Sequence, residues 1–127
     1  AGTGYLGWVD FDKNAFVPFT FCPGFLRGLS MIGDVAAVGL SKARNGRFSG
    51  LELDDELKKR DADAWCGIQI VSLSTGDVLQ WIRFEGDISE VFDVSFLAGV
   101  RNPMMVGLRT AEIRELITFE SDMAVTA

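Results

Sequence analysis

Gly67 to Phe84 reads GIQIVSLSTGDVLQWIRF, and this stretch decides the fold. Gly67 to Leu73 alternates with the period of two that a strand imposes on its side chains. Ser74-Thr75-Gly76-Asp77 supplies turn residues, and Val78 to Phe84 returns as a second strand. Glu85-Gly86-Asp87 then breaks the chain, Glu90 to Leu97 reads as a third strand, and Met104 to Leu108 as a fourth.

The same order occurs upstream. In Tyr5 to Phe11, Leu6, Trp8 and Asp10 fall on one side and Gly7, Val9 and Phe11 on the other. Asp12-Lys13-Asn14-Ala15 turns, and Phe16 to Phe21 comes back with Pro18 inside it. Proline cannot donate to a ladder, so this strand is expected at an edge or bulged there. Pro23-Gly24 is the break, Phe25 to Ile32 the third strand, Gly33-Asp34 a tight turn and Val35 to Leu40 the fourth. Setting Val9 on Val71 aligns the turns and puts Gly24 on Gly86. With two short insertions, Ser30 falls on Ser95 and Val38-Gly39-Leu40 on Val106-Gly107-Leu108. That is an internal repeat of two units, about 5–40 and 66–108.

Between the units lies an inserted segment, 43–64. Asn45-Gly46 is a hairpin dipeptide that would let Arg47 to Leu51 pair back on the fourth strand. Asp54 to Asp63 reads as one short helix. Its acids come first and Lys58, Lys59 and Arg60 last, the order the helix dipole favours. Leu57 is its one apolar residue, so it is expected to lie loosely on the surface. Arg109 to Glu120 reads as either a helix or a closing strand, and Met123 to Ala127 as a fraying end.

The expectation is an all-β, mainly antiparallel single domain of two β-propeller-blade-like four-stranded units with one short surface helix. Ten Phe and three Trp among 127 residues make its core aromatic;. Phe92, Val94 and Phe96 share one strand face, and with Trp81 and Phe84 they are the expected core of the second unit. Propellers close with about four to eight blades, so two units do not suffice. The chain is then part of a longer propeller, a homo-oligomer that completes the ring (a dimer favoured), or a compact two-sheet fold in which the units pack face to face.

Several stretches carry a family likeness: Gly24-Phe25-Leu26-Arg27-Gly28-Leu29, Val38-Gly39-Leu40-Ser41-Lys42, Trp81-Ile82-Arg83-Phe84-Glu85-Gly86, and Phe92-Asp93-Val94 followed by Gly99-Val100-Arg101-Asn102-Pro103-Met104. Together they resemble a bacterial family of conserved hypothetical proteins, sometimes found alongside tetratricopeptide repeats. The resemblance covers most of Tyr5 to Leu108. It implies propeller-like architecture, with this chain similar to the C-terminal part of longer members, and it transfers no catalytic residues.

Composition narrows the chemistry. The formal net charge is −6, which repels phosphate backbones, so no nucleic acid partner is expected;. No apolar run reaches the roughly 20 residues a bilayer span needs, and no membrane association or secretory signal is read. There is no histidine, which removes Ser-His-Asp and Cys-His catalysis and imidazole metal sites;. Gly2-Thr3-Gly4-Tyr5-Leu6-Gly7 matches a dinucleotide fingerprint by letter, but no strand precedes it and a strand pattern follows, so it is a glycine-rich lead-in. Asp10 to Asn14 starts like a calcium loop, yet Ala15 and Phe21 stand where Gly and Glu are required. No cofactor and no metal are expected. Cys22 and Cys66 read as reduced, semi-buried thiols of a cytoplasmic protein, a bridge between them being the alternative.

Function therefore reads as a non-enzymatic binding or scaffolding module that presents loops to a protein partner. The alternative is a small-ligand or carbohydrate-active site at a propeller-like axis, built from Arg27, Arg83, Glu85 and Asp93. Asp93 and Arg27 are charges set among apolar strand neighbours.

Overall fold

The computed structural model describes residues 2–44, 46, 48–103 and 107. The expected strand Met104 to Leu108, Gly107 apart, the segment Arg109 to Glu120 and the end Met123 to Ala127 lie outside these, as do Asn45 and Arg47. The chain divides into two units, 1–96 and 97–127. The second contributes one described turn, closed by Val100 N–H donating to the Leu97 carbonyl at 3.3 Å. Everything else belongs to the first.

Its elements are β1 (Tyr5–Asp10), β2 (Ala15–Phe21), β3 (Phe25–Ile32), β4 (Val35–Ser41), α1 (Glu52–Lys59), β5 (Cys66–Ser72) and β6 (Val78–Phe84). All strand pairs are antiparallel, and the protein is all-β with a single short helix among the described residues. The strands are partitioned two and four. β1 and β2 form a hairpin, and β3-β4-β5-β6 form one sheet in that order. Strands from both sequence repeats thus share a sheet, because β4 pairs with β5 across the whole 42–65 excursion, Val35 opposite Ser72 and Leu40 opposite Gly67.

Local chemistry explains these elements. Ile32 pairs with Val35 across Gly33-Asp34, the shortest hairpin loop;. Opposite Gly7, the β2 register slips beside Pro18, so the expected bulge is there;. Asp10 accepts the Lys13 backbone N–H at 3.0 Å and pairs with its ammonium at 3.2 Å, which is turn chemistry;.

The sheet is covered on both faces near β4. Val38 and Leu40 point to one face, where they pack with Cys22 of the β2 end and with Leu6, Leu26 and Trp65. The hairpin is held over this face by Thr20 Oγ1 donating to the Gly76 carbonyl at 2.8 Å and Gln69 Nε2 donating to the Phe21 carbonyl at 3.4 Å. Gly39 and Ser41 alternate onto the opposite face, where residues 89–96 cross. This crossing is why two positions are glycine. A Cβ on Gly39 would lie 2.1 Å from the Arg27 carbonyl and 2.9 Å from Val91, and one on Gly28 only 2.5 Å from the Val94 nitrogen. Phe96 N–H donates to Ser30 Oγ at 3.0 Å and completes the docking. β4 is consequently buried along nearly its whole length, as a continuous apolar run such as VAAVGL requires;.

Four expectations change. Glu90 to Leu97 makes no strand ladder; it lies across the sheet instead of extending it. The helix starts at Glu52, two residues earlier than read, and so includes Leu53. Leu53 and Leu57 are buried with Phe48 in a second cluster against Phe21 and Phe25, so α1 is packed rather than loose. Trp81 and Phe92 are 62% and 69% exposed, not core: Trp81 meets the Trp65 ring at 6.4 Å and Phe92 lies against the Arg27 guanidinium, and neither contact covers the ring. No strand follows β4 before α1 among the described residues, and no described helix is long and apolar enough to cross a membrane.

Candidate functional site

Charged side chains gather at the end of the sheet where β3 begins and β4 finishes. The β3–β4 register slips between Leu26 and Leu29, and such irregularities re-aim side chains;. Arg27 sits in that slip. Its Nη1 donates to Glu90 Oε2 at 3.0 Å, and its guanidinium lies 4.7 Å from the centre of the Phe92 ring and 5.9 Å from that of Phe25. Arg44, just past β4, closes a fork on the same carboxylate, Nε to Oε1 at 2.6 Å and Nη2 to Oε2 at 3.0 Å;.

The backbone fixes Glu90 in place. Ser41 Oγ donates to the Val91 carbonyl at 3.1 Å and accepts the Val91 N–H at 3.0 Å, and Lys42 N–H donates to the Ser89 carbonyl at 2.8 Å. One buried serine therefore ties the crossing segment to the end of β4. The Arg44 hydrogen bonds hold the Glu90 carboxyl below its ordinary range, with Arg27 adding to the effect, and Glu90 in turn raises Arg44;. Beside this network is a concavity of about 370 Å³ whose walls include Phe25, Arg27, Lys42, Arg44, Phe48 and Glu90. Phe25 and Phe48 stack at 6.2 Å and form its apolar wall.

The four residues singled out in the sequence are not gathered in one pocket. Arg27 is in the cluster. Asp93 backs onto the neighbouring Gly28 but is exposed, its carboxylate accepting the next residue's N–H at 2.8 Å. Arg83 is on β6, 5.9 Å from the Trp65 ring, and Glu85 follows it, exposed. With β4 and β5 intervening, Arg83 stands about 14 Å from Arg27 at ordinary strand spacing;. Sequence reasoning missed Glu90, Lys42 and Arg44 as members of the site. Lys42 and Arg44 fall in a basic stretch visible in the sequence, while Glu90 is 63 residues from Arg27 and has no local signal.

Chemically, this arrangement suits binding better than proton transfer. A carboxylate locked by two guanidinium groups is a poor acid or base near neutral pH, since its proton is held off. Burial pushes the Cys22 thiol up to about 11 and raises Cys66 as well, so neither is an activated nucleophile;. Both cysteines are free.

Fold and site together define a mainly antiparallel β domain with a hairpin and a crossing segment on opposite faces of one sheet, and a cation-rich concavity at one sheet end. The chain belongs to the family described as a domain of unknown function, DUF4915, whose model matches residues 1–106. No curated protein and no solved structure matches it.

Proposed function

We propose that this chain is a binding module built as an arc of a propeller-like ring, and that on its own it recruits a second copy. In this reading β3–β6 is one blade, β1–β2 is the outer half of the blade before it, and residues 89–96 begin the blade after it. The repeat and the sheet are then the same pattern read two strands out of phase.

One observation carries the proposal. Large apolar side chains flank the covered centre of the sheet and stay 45% exposed or more: Leu29, Met31 and Ile32 on β3, and Val78, Leu79, Trp81 and Ile82 on β6. Exposed apolar side chains along both edge strands are surface that association can cover;. A neighbouring blade would cover these flanks. Two-fold pairing is the simplest way for one chain to supply it. β6 also carries a single charge, Arg83, so little guards this edge against association;. Two free thiols support a reducing, cytoplasmic setting;.

Light scattering coupled to size exclusion, over a dilution series, tests the assembly. The expected outcome is a dimer that Trp81→Lys converts to monomer without loss of fold. A wild-type chain that stays monomeric at high concentration would overturn the second-copy reading.

A further inference from the structure

We infer that the concavity between the start of β3, the end of β4 and residues 89–92 binds a small organic oxyanion with an aromatic or apolar body. The inference is independent of ring assembly, because every group it uses lies within one chain.

Charge count is the first argument. The chain is acidic overall, at −6, yet among the described residues the charged lining of the concavity is Arg27, Lys42 and Arg44 against Glu90. Both Glu90 oxygens are already engaged, so the surplus is two positive charges. A surplus of two matches a single phosphate monoester dianion, or one carboxylate with charge to spare. It does not match a nucleic acid, whose binding requires a series of cations along a track.

Unused donors are the second argument. Among the described residues Lys42 Nζ has no ion-pair or hydrogen-bond partner although the side chain is half buried, and of the Arg27 nitrogens only Nη1 is engaged. Arg27 is held flat by Phe92 and tethered by Glu90, so its remaining donors are presented in a fixed fork with little ordering cost;. Shape is the third argument. The stacked Phe25 and Phe48 rings line the same concavity and offer an apolar wall beside the cations, which suits a ligand with an anionic head and an apolar body;. Glu90 plays the part of a built-in competitor, holding the two arginines together while reducing the attraction for an incoming anion.

Amide shifts in two-dimensional NMR at low ionic strength, with phenyl phosphate, benzoate and inorganic phosphate as probes, test this. The expected result is saturable shifts confined to residues 25–27, 41–44 and 89–92, with phenyl phosphate or benzoate binding more tightly than inorganic phosphate. The tighter of those two assigns the head group. Lys42→Gln, which breaks no ion pair, should weaken binding roughly five-fold, the order of one partly exposed charge pair, with no change in melting temperature. Shifts spread over all surface cations, or binding that Lys42→Gln leaves unchanged, would each overturn the assignment.

Discussion

β4 and β6 belong to one sheet and are about equally apolar, VAAVGLS and VLQWIRF, yet their fates are opposite. β4 is buried along both faces, whereas six of the seven β6 residues are exposed. Composition does not separate them; position does. β4 has a strand on each side, the hairpin over one face and residues 89–96 over the other, while β6 has one neighbour among the described strands. An apolar strand specifies that its faces suit burial. What covers them comes from elsewhere in the chain or from another chain.

The largest effect that can test this contrast compares one substitution at two sites. Leu40→Ala, at a residue with no exposed surface, should cost about 2–5 kcal/mol, since it removes contacts and leaves a cavity;. Leu79→Ala, at a residue 49% exposed, should cost less than about 1 kcal/mol in dilute solution;. Urea denaturation of both variants measures the difference. If the cost at Leu79 grows with protein concentration, the flank is being covered by a second copy. Equal costs at high dilution would mean that β6 is already buried and that the contrast is wrong.

The next effect concerns the crossing segment. Gly39→Ala places a methyl group against the Arg27 carbonyl and the Val91 side chain, so residues 89–96 must lift or β3 must shift. Overpacking of this kind costs about 1–3 kcal/mol. Faster amide exchange at Val91 and Phe96, whose N–H groups donate to Ser41 and Ser30, should accompany the loss of stability;. Unchanged exchange there would show that the segment is not held by close approach.

How much of this was legible depends on the range of the signal. Gly33-Asp34, the Pro18 irregularity and the acid-to-base order of α1 are local, and all are where the residues place them. Strand pairing is not local. The repeat is in phase with Gly24 and Gly86, and nothing in VAAVGLS says that its partner is CGIQIVS beyond the helix rather than FVPFTF before it. The same limit hid the site. Arg27 was visible as a charge among apolar neighbours, but Glu90 reaches it only because Gly28 and Gly39 let residues 89–96 cross the sheet. Phe92 was read as core from its spacing, and it instead lies outermost, stacked on Arg27. Leu53 escaped notice because it precedes the three consecutive acids taken as the start of the helix.

The smallest effect sharpens a second contrast, between the two cation–carboxylate clusters. Glu90 ties a crossing segment to β3 and to Arg44 just past β4, whereas Glu56 ties α1 to the hairpin. Tyr5 Oη donates to Glu56 Oε2 at 3.0 Å, Lys59 Nζ to Oε1 at 2.8 Å, and Arg60 bonds to both Glu56 and Tyr5 while lying 4.2 Å from the Phe21 ring centre. The Lys59 hydrogen bond, then those of Arg60 and Tyr5, lower the Glu56 carboxyl from 4.5 to about 2. A depressed carboxyl contributes stability that is complete above its unfolded value and is lost as the pH falls through its folded one. The tie should therefore hold at pH 5 and weaken between about pH 4.5 and 2, with only a small effect on overall stability because paired charges near the surface are screened;. The Glu56 carboxyl carbon, followed by NMR, should titrate near the lower value. Glu56→Gln should flatten the pH dependence of amide protection in α1 and leave the Glu90 cluster untouched. A carboxyl that titrates at its ordinary value would mean that α1 is held without this tie, by the burial of Leu53 and Leu57 and the Leu53 N–H bond to the Gly2 carbonyl.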